Sequence, residues 1–167
     1  YCDYEMINDF QNIIISDEIF NILQKYNWKS FLKSKEHIIC DRNGELADYY
    51  LNINYNNEKL YFECVLDMEF PDNKTNDLFL LINYVNEKNN DGYFVFDLKN
   101  KNIIYRFSIA LSYKASNKFL YDLIDLKLSL ADELIQNFTL SMHKIFYSET
   151  TVIELTDLMF VKALGSA

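Results

Sequence analysis

Glycine and proline are scarce in this chain, at three and one in 167 residues. That leaves little material for flexible linkers. Three isolated glycines also cannot build the glycine-rich loop that cradles a nucleotide phosphate. Cysteine is scarce too. Cys2, Cys40 and Cys64 are odd in number and lack metal-type spacing. An oxidised framework is therefore not expected, and reduced thiols in a cytoplasm fit. Histidine is limited to His37 and His143, with no CxxC, HxxxH or HExxH pattern anywhere. No metal and no other cofactor is expected. Basic residues number 16 against 25 acidic ones, for a formal charge of −9. Nucleic acid and anionic membrane surfaces both demand clustered Lys and Arg, so neither is an expected partner. No apolar run approaches membrane-span length.

What is present is a folding chain. Half the residues are apolar, with thirteen Phe and thirteen Tyr, enough to bury one substantial core. One domain over 1–167 is expected, with 1–15 as a loosely attached N-terminal segment. The chain begins at Tyr1 rather than Met, which leaves a preceding leader open. Nothing in it looks like a signal peptide. Its richness in Asn, Lys, Ile and Tyr is that of an AT-rich bacterial genome. The negative charge reads most simply as a solubility device.

Periodicity sets the element order. From Ser16 to Trp28, Ile19, Phe20, Leu23 and Tyr26 recur at helical spacing, with Ser16 as cap and Asp17 and Glu18 in the first turn. Phe10 to Ile15 extends this helix or forms a separate extended segment. His37 to Asp41 reads as a short strand closed by Asn43-Gly44. Tyr49, Leu51, Ile53 and Tyr55 define one face of the next strand. Leu60, Phe62, Cys64, Leu66, Met68 and Phe70 define one face of another, against Tyr61, Glu63, Val65, Asp67 and Glu69. Asn56 to Lys59 links the two as a hairpin. Pro71-Asp72 starts a helix with the stripe Leu78, Leu81, Ile82 and Val85. Asp91-Gly92 opens a strand with Phe94, Phe96 and Leu98, followed by a polar turn at Lys99 to Asn102. Ile103, Tyr105, Phe107, Ile109 and Leu111 face one way on the return strand. Ser116 or Asn117 caps a helix running to Phe146, and Glu149 to Lys162 is a further helix candidate. The expected fold is α+β, with a mainly antiparallel five-stranded sheet and helices packed on it, in the order α-β-β-β-α-β-β-α.

Residue chemistry points away from catalysis. In a strand, His37 and Cys40 fall on opposite faces, and His143 has no local partner. Asp67 and Glu69, with Glu63 beside them, read as a solvated sheet face rather than a cation site. Arg106 stands out, because it shares a strand face with Ile104, Ser108 and Ala110. It calls for an acidic partner or an aromatic surface. The structural reading is an ion pair fixing sheet to helix, and the functional one is a contact to a ligand or partner.

The long helix carries two apolar stripes. Leu120, Ile124, Leu128, Ala131, Ile135, Phe138 and Met142 form one, and Phe119, Leu123, Leu126, Leu130 and Leu134 a second. Asp122, Asp125, Ser129, Asp132, Glu133 and Gln136 mark its wet side. The apolar arc of roughly 200° is wider than a surface helix needs. The second stripe is therefore covered by helices of the same chain or is a partner-binding surface for a client or a second copy.

From Asp67 to Phe107 the chain resembles the YbjN family, bacterial proteins described as candidate sensory transduction regulators. The residues that carry the likeness are the acidic strand end, Pro71, a Leu-rich helix to Asn86, Gly92-Tyr93-Phe94 and Tyr105-Arg106. The resemblance is looser through the last helix. Asn89-Asn90-Asp91 is more polar than the family pattern. The resemblance implies a type III secretion chaperone-like fold and a non-enzymatic protein-binding role, chaperone-like or regulatory. A binder of small apolar ligands, held between sheet and long helix, is the alternative.

Overall fold

The computed structural model describes residues 17–34, 37–56, 58–111 and 117–155. Helix α1 covers 17–25 and buries Ile19, Ile22 and Leu23 completely. It ends three residues before the expected Trp28. Asn27 adopts a left-handed φ of 63°, with Trp28 N–H donating to Leu23 O and Asn27 N–H to Gln24 O. This is the Schellman stop, and asparagine tolerates the left-handed position well.

The stop releases the chain into β1 (Lys29–Ser34), followed by β2 (His37–Asn43), β3 (Asp48–Tyr55) and β4 (Lys59–Asp67). A 3₁₀ turn at Asp72–Lys74 leads into α2 (Thr75–Lys88), then β5 (Gly92–Asp97), β6 (Asn102–Ala110) and α3 (Asn117–Tyr147). Residues 152–155 make a further helical turn. The strands form one sheet in the order β1-β2-β3-β4-β6-β5, with every neighbouring pair antiparallel.

Among the described residues the expected count of five strands is thus corrected to six, and the order to α-β-β-β-β-α-β-β-α. The missed strand is β1, exposed at every position except the half-buried Ser30. A strand with neither face buried has no alternation to read. Leu98 is also corrected: it is 76% exposed and lies in the turn after β5 rather than on its apolar face. Met68 and Phe70 pack against the core from beyond the end of β4. Ser16, Phe10 to Ile15, Ser116 and the candidate helix beyond 155 lie outside the described residues.

One face of the sheet makes the core. Ile38 and Cys40, Tyr49 to Tyr55, Leu60 to Leu66, Phe94, and Ile103 to Ile109 alternate inward, meeting Ile124, Leu128, Ala131, Ile135, Phe138 and Met142 of α3. Aromatic rings lie at this junction: Phe94 stacks on Phe138 with centroids 3.9 Å apart, and Phe62 on Phe107 at 4.4 Å. The opposite face carries Tyr50, Tyr61 and Tyr93, each roughly half exposed.

The β5 edge has an unusual closure. Phe94 N–H donates to Asn86 Oδ1 at 2.7 Å, and Asn86 Nδ2 donates to Phe94 O at 2.9 Å. The amide of one α2 side chain thereby satisfies both backbone groups that an adjacent strand would have taken. Three residues on, Asn89 Nδ2 donates to Gly92 O and to Tyr105 Oη. Gly92 is required by proximity, since a Cβ there would sit 2.6 Å from both Tyr105 Oη and Arg106 O. Replacing Asn86 with Ala is expected to destabilise the fold by about 2 kcal/mol, because a partly buried donor and acceptor both lose their partner. Urea unfolding monitored by Tyr and Trp fluorescence measures it, and an unchanged midpoint would show the clasp to be energetically idle.

Candidate functional site

Three polar or amphipathic features stand apart from the core. The first is a partly buried ion pair. Arg42, on β2, has its guanidinium carbon 4.5 Å from the Trp28 ring centroid and 5.1 Å from that of Tyr49. Its Nη1 lies 2.5 Å from Asp132 Oδ1 of α3, with the two side chains only 14% and 17% exposed. The contact lacks hydrogen-bond alignment at Oδ1, so its weight is Coulombic. The directed bonds go elsewhere: Arg42 Nη1 donates to Tyr26 O, and Gln136 Nε2 to Asp132 Oδ2. Asp125 is partnered as well, accepting from Lys25 Nζ and Tyr26 Oη. Two acids expected on the wet side of α3 therefore lie where α1 and β2 meet it. Helical angle alone could not reveal this, because the elements that cover them are distant in sequence. A cleft of about 560 Å³ opens beside this cluster, lined also by Asn137 and Thr139.

The second feature is Arg106, on the outer face of the sheet. Its Nε donates to Glu63 Oε2 at 2.8 Å, and both side chains are about 40% exposed. The two residues are direct cross-strand partners of β4 and β6. The pair therefore joins strand to strand, and the expected link from sheet to helix is corrected. Glu63 first, and the nearby Tyr93 hydroxyl after it, favour the charged guanidinium and push its pKa up. Around it lies an open hollow of about 700 Å³ lined by His37, Asn52, Asn54, Tyr61 and Asp91. His37 Nε2 sits 3.3 Å from Asn52 Oδ1, on the face opposite Cys40. Asp67 stands directly across from Asp48 rather than from a base, and it and Glu69 do not converge with Glu63. Among the described residues, no group of three His, Cys, Asp or Glu could hold a metal ion.

The third feature is the second stripe of α3, which the structure divides. Leu123 and Leu134 are half-buried against the core. Phe119, Leu126 and Leu130 are 58%, 55% and 45% exposed. They occupy the side of α3 turned away from the sheet. Leu140, also exposed, lies about 80° round the helix from Leu130 and lines the cleft beside Asp132.

Neither described thiol is poised for chemistry. Burial pushes Cys40 up to about 11 and Cys64 up to about 12, so both stay protonated at neutral pH. Where sheet and α3 meet, Phe94 stacks on Phe138, while Phe62 and Phe107 stack on each other across β4 and β6. No helix among the described residues is long and apolar enough to cross a membrane.

The two arginines should respond differently to truncation. Arg42→Met is expected to destabilise by about 2–3 kcal/mol, because it leaves a partly buried carboxylate without its cation. Arg106→Met should cost at most about 1 kcal/mol, since solvent screens the exposed pair, and added salt should shrink that loss further. Thermal unfolding of both variants at low and high salt tests this, and equal losses would contradict it.

No family model matches the chain. A curated relative, the CRISPR-associated endoribonuclease Cas13a of Leptotrichia wadei (strain F0279), is 25% identical over 158 residues, 93% of this chain. The chain spans only 12% of that protein's length. Among solved structures, YbjN from E. coli, a candidate transcription regulator, superimposes with a TM-score of 0.53. The match covers 74% of this chain and 87% of that one, at 12% identity. The six antiparallel strands and their helices thus make up a YbjN-like α+β fold.

Proposed function

We propose that the chain is a non-enzymatic protein-binding module, chaperone-like or regulatory, whose contact surface is the outward side of α3. The observation that carries this reading is the exposure of Leu126 and Leu130, at 55% and 45%, on a helix whose other side is fully committed to the core. Leucines four residues apart form one continuous apolar strip, and Phe119 extends it toward the start of the helix. Helix-in-groove recognition uses anchors of this spacing. The likeness in fold to a candidate regulator adds support. RNA cleavage belongs to the whole of a relative of which this chain spans 12%. A chain with a charge of −9 is also poorly suited to hold a phosphate backbone.

The partner is a client protein or a second copy of the chain. Leu126→Glu and Leu130→Glu each put a charge on the strip at a position already half in water. Both variants should keep the wild-type unfolding midpoint within about 0.5 kcal/mol. They should lose whatever complex the wild type forms, whether a dimer in sedimentation equilibrium or a partner retained from the native bacterium. A wild type that stays monomeric at high concentration and retains nothing dependent on Leu126 would overturn the reading. Global unfolding by both variants would instead assign the strip to the core.

A further inference from the structure

The two edges of the sheet are finished differently. At β5, the Asn86 amide occupies the backbone groups of Phe94. At β1, the other edge, all residues but Ser30 are exposed, and Phe31 and Leu32 keep 58% and 55% of their surface in solvent. Every second backbone N–H and C=O of an edge strand points outward without a ladder partner. Phe31 lies on the open face across from Ile39, and Leu32 on the helix side across from Ile38. An added strand would therefore find backbone groups and an apolar contact on each face. These are the requirements of strand addition.

Charge selects what can be added. Lys29 and Lys33 flank the apolar pair, and although Asp41 of β2 stands across from Lys29, Lys33 has no acid across from it in the ladder, while the chain as a whole carries −9. Lysine on an edge repels other basic strands, and the same field favours an acidic one. A second copy is disfavoured: a twofold axis through Phe31 would set Lys29 directly opposite Lys33 of that copy, and like charges so placed are destabilising. The ladder is also short, because the register shifts between Leu32 and Ser34. We infer that the edge of β1, unpaired among the described residues, adds a short, extended segment of a partner protein, in which acidic residues alternate with apolar ones, as a further strand of the sheet. This surface is separate from the α3 strip, and neither depends on the other.

The test uses the isotope-labelled full chain and two capped decapeptides, one alternating Glu with Val and the other Lys with Val. The Glu/Val peptide should shift the amide resonances of residues 29–34 and slow their hydrogen exchange, and its binding should weaken as salt rises. The Lys/Val peptide should bind several-fold more weakly. Lys33→Glu, at an exposed position, should lower affinity for the Glu/Val peptide by up to about fivefold and raise it for the Lys/Val peptide, with unfolding unchanged. Equal binding of both peptides would overturn the inference. So would shifts centred on α3 or β5, or no shift at residues 29–34. Binding at 29–34 that survives Leu126→Glu would separate this edge from the α3 strip.

Discussion

Phe94 is the residue on which the assembly turns. Its ring stacks on Phe138 of α3 and lies 4.7 Å from the ring of Tyr105 on the neighbouring strand. Its backbone is clasped by Asn86 of α2. One edge-strand residue therefore ties both helices to the sheet. The surrounding residues exist to permit this arrangement. Gly92 must lack a side chain because Tyr105 Oη fills the space, and Asn89 holds that hydroxyl in place. Burial pushes the Tyr105 hydroxyl pKa up, while the bond from Asn89 opposes the rise. Once Phe94 is set, the side of α3 that faces the sheet is set too, and with it the side that faces out.

This explains why the Asn86, Gly92-Tyr93-Phe94 and Tyr105-Arg106 pattern was visible in the sequence before its purpose was. The spacing is that of a helix end, a corner and two paired strands. The purpose lies in side-chain to backbone bonds that no periodicity encodes. Strands with one buried face were legible from alternation alone, as β3, β4 and β6 show. β1 was not, because a strand wet on both sides has no hydrophobic period. Its existence follows instead from the left-handed Asn27, which ends α1 early, and from the ladder that β2 offers it.

Charge was the least legible property. The chain's acids look like a uniform solubility coat, yet Asp125 and Asp132 are drawn to Lys25, Tyr26 and Arg42 at the corner where α1, β2 and α3 meet. A helical wheel places them correctly on α3 but cannot see the second element. Conversely, Arg106 looked buried because its strand neighbours are small or apolar. The wet environment comes from the adjacent strands, which supply Glu63 and Tyr93. In both cases the deciding residues came from outside the local segment, which is where long-range contacts in an antiparallel sheet come from.

An open sheet packed on one face leaves a protein with three kinds of surface: the bare face, the edges and the backs of the helices. Here the bare face carries polar groups that bond to one another, as Arg106 with Glu63 and His37 with Asn52. One edge is shut by Asn86. The back of α3 and the β1 edge both expose apolar side chains, as does α2 at Phe79 and Leu80, and the first two follow different recognition physics. The back of α3 offers leucine side chains and no unpaired backbone, so it selects by shape and apolar area. The β1 edge offers backbone groups framed by two lysines, so it selects by extension and charge. A partner that engaged both would need a helix and an acidic strand in a fixed relation. The Arg42–Asp132 contact holds β2, the strand beside that edge, against α3, which fixes where the two separate surfaces lie without making either depend on the other.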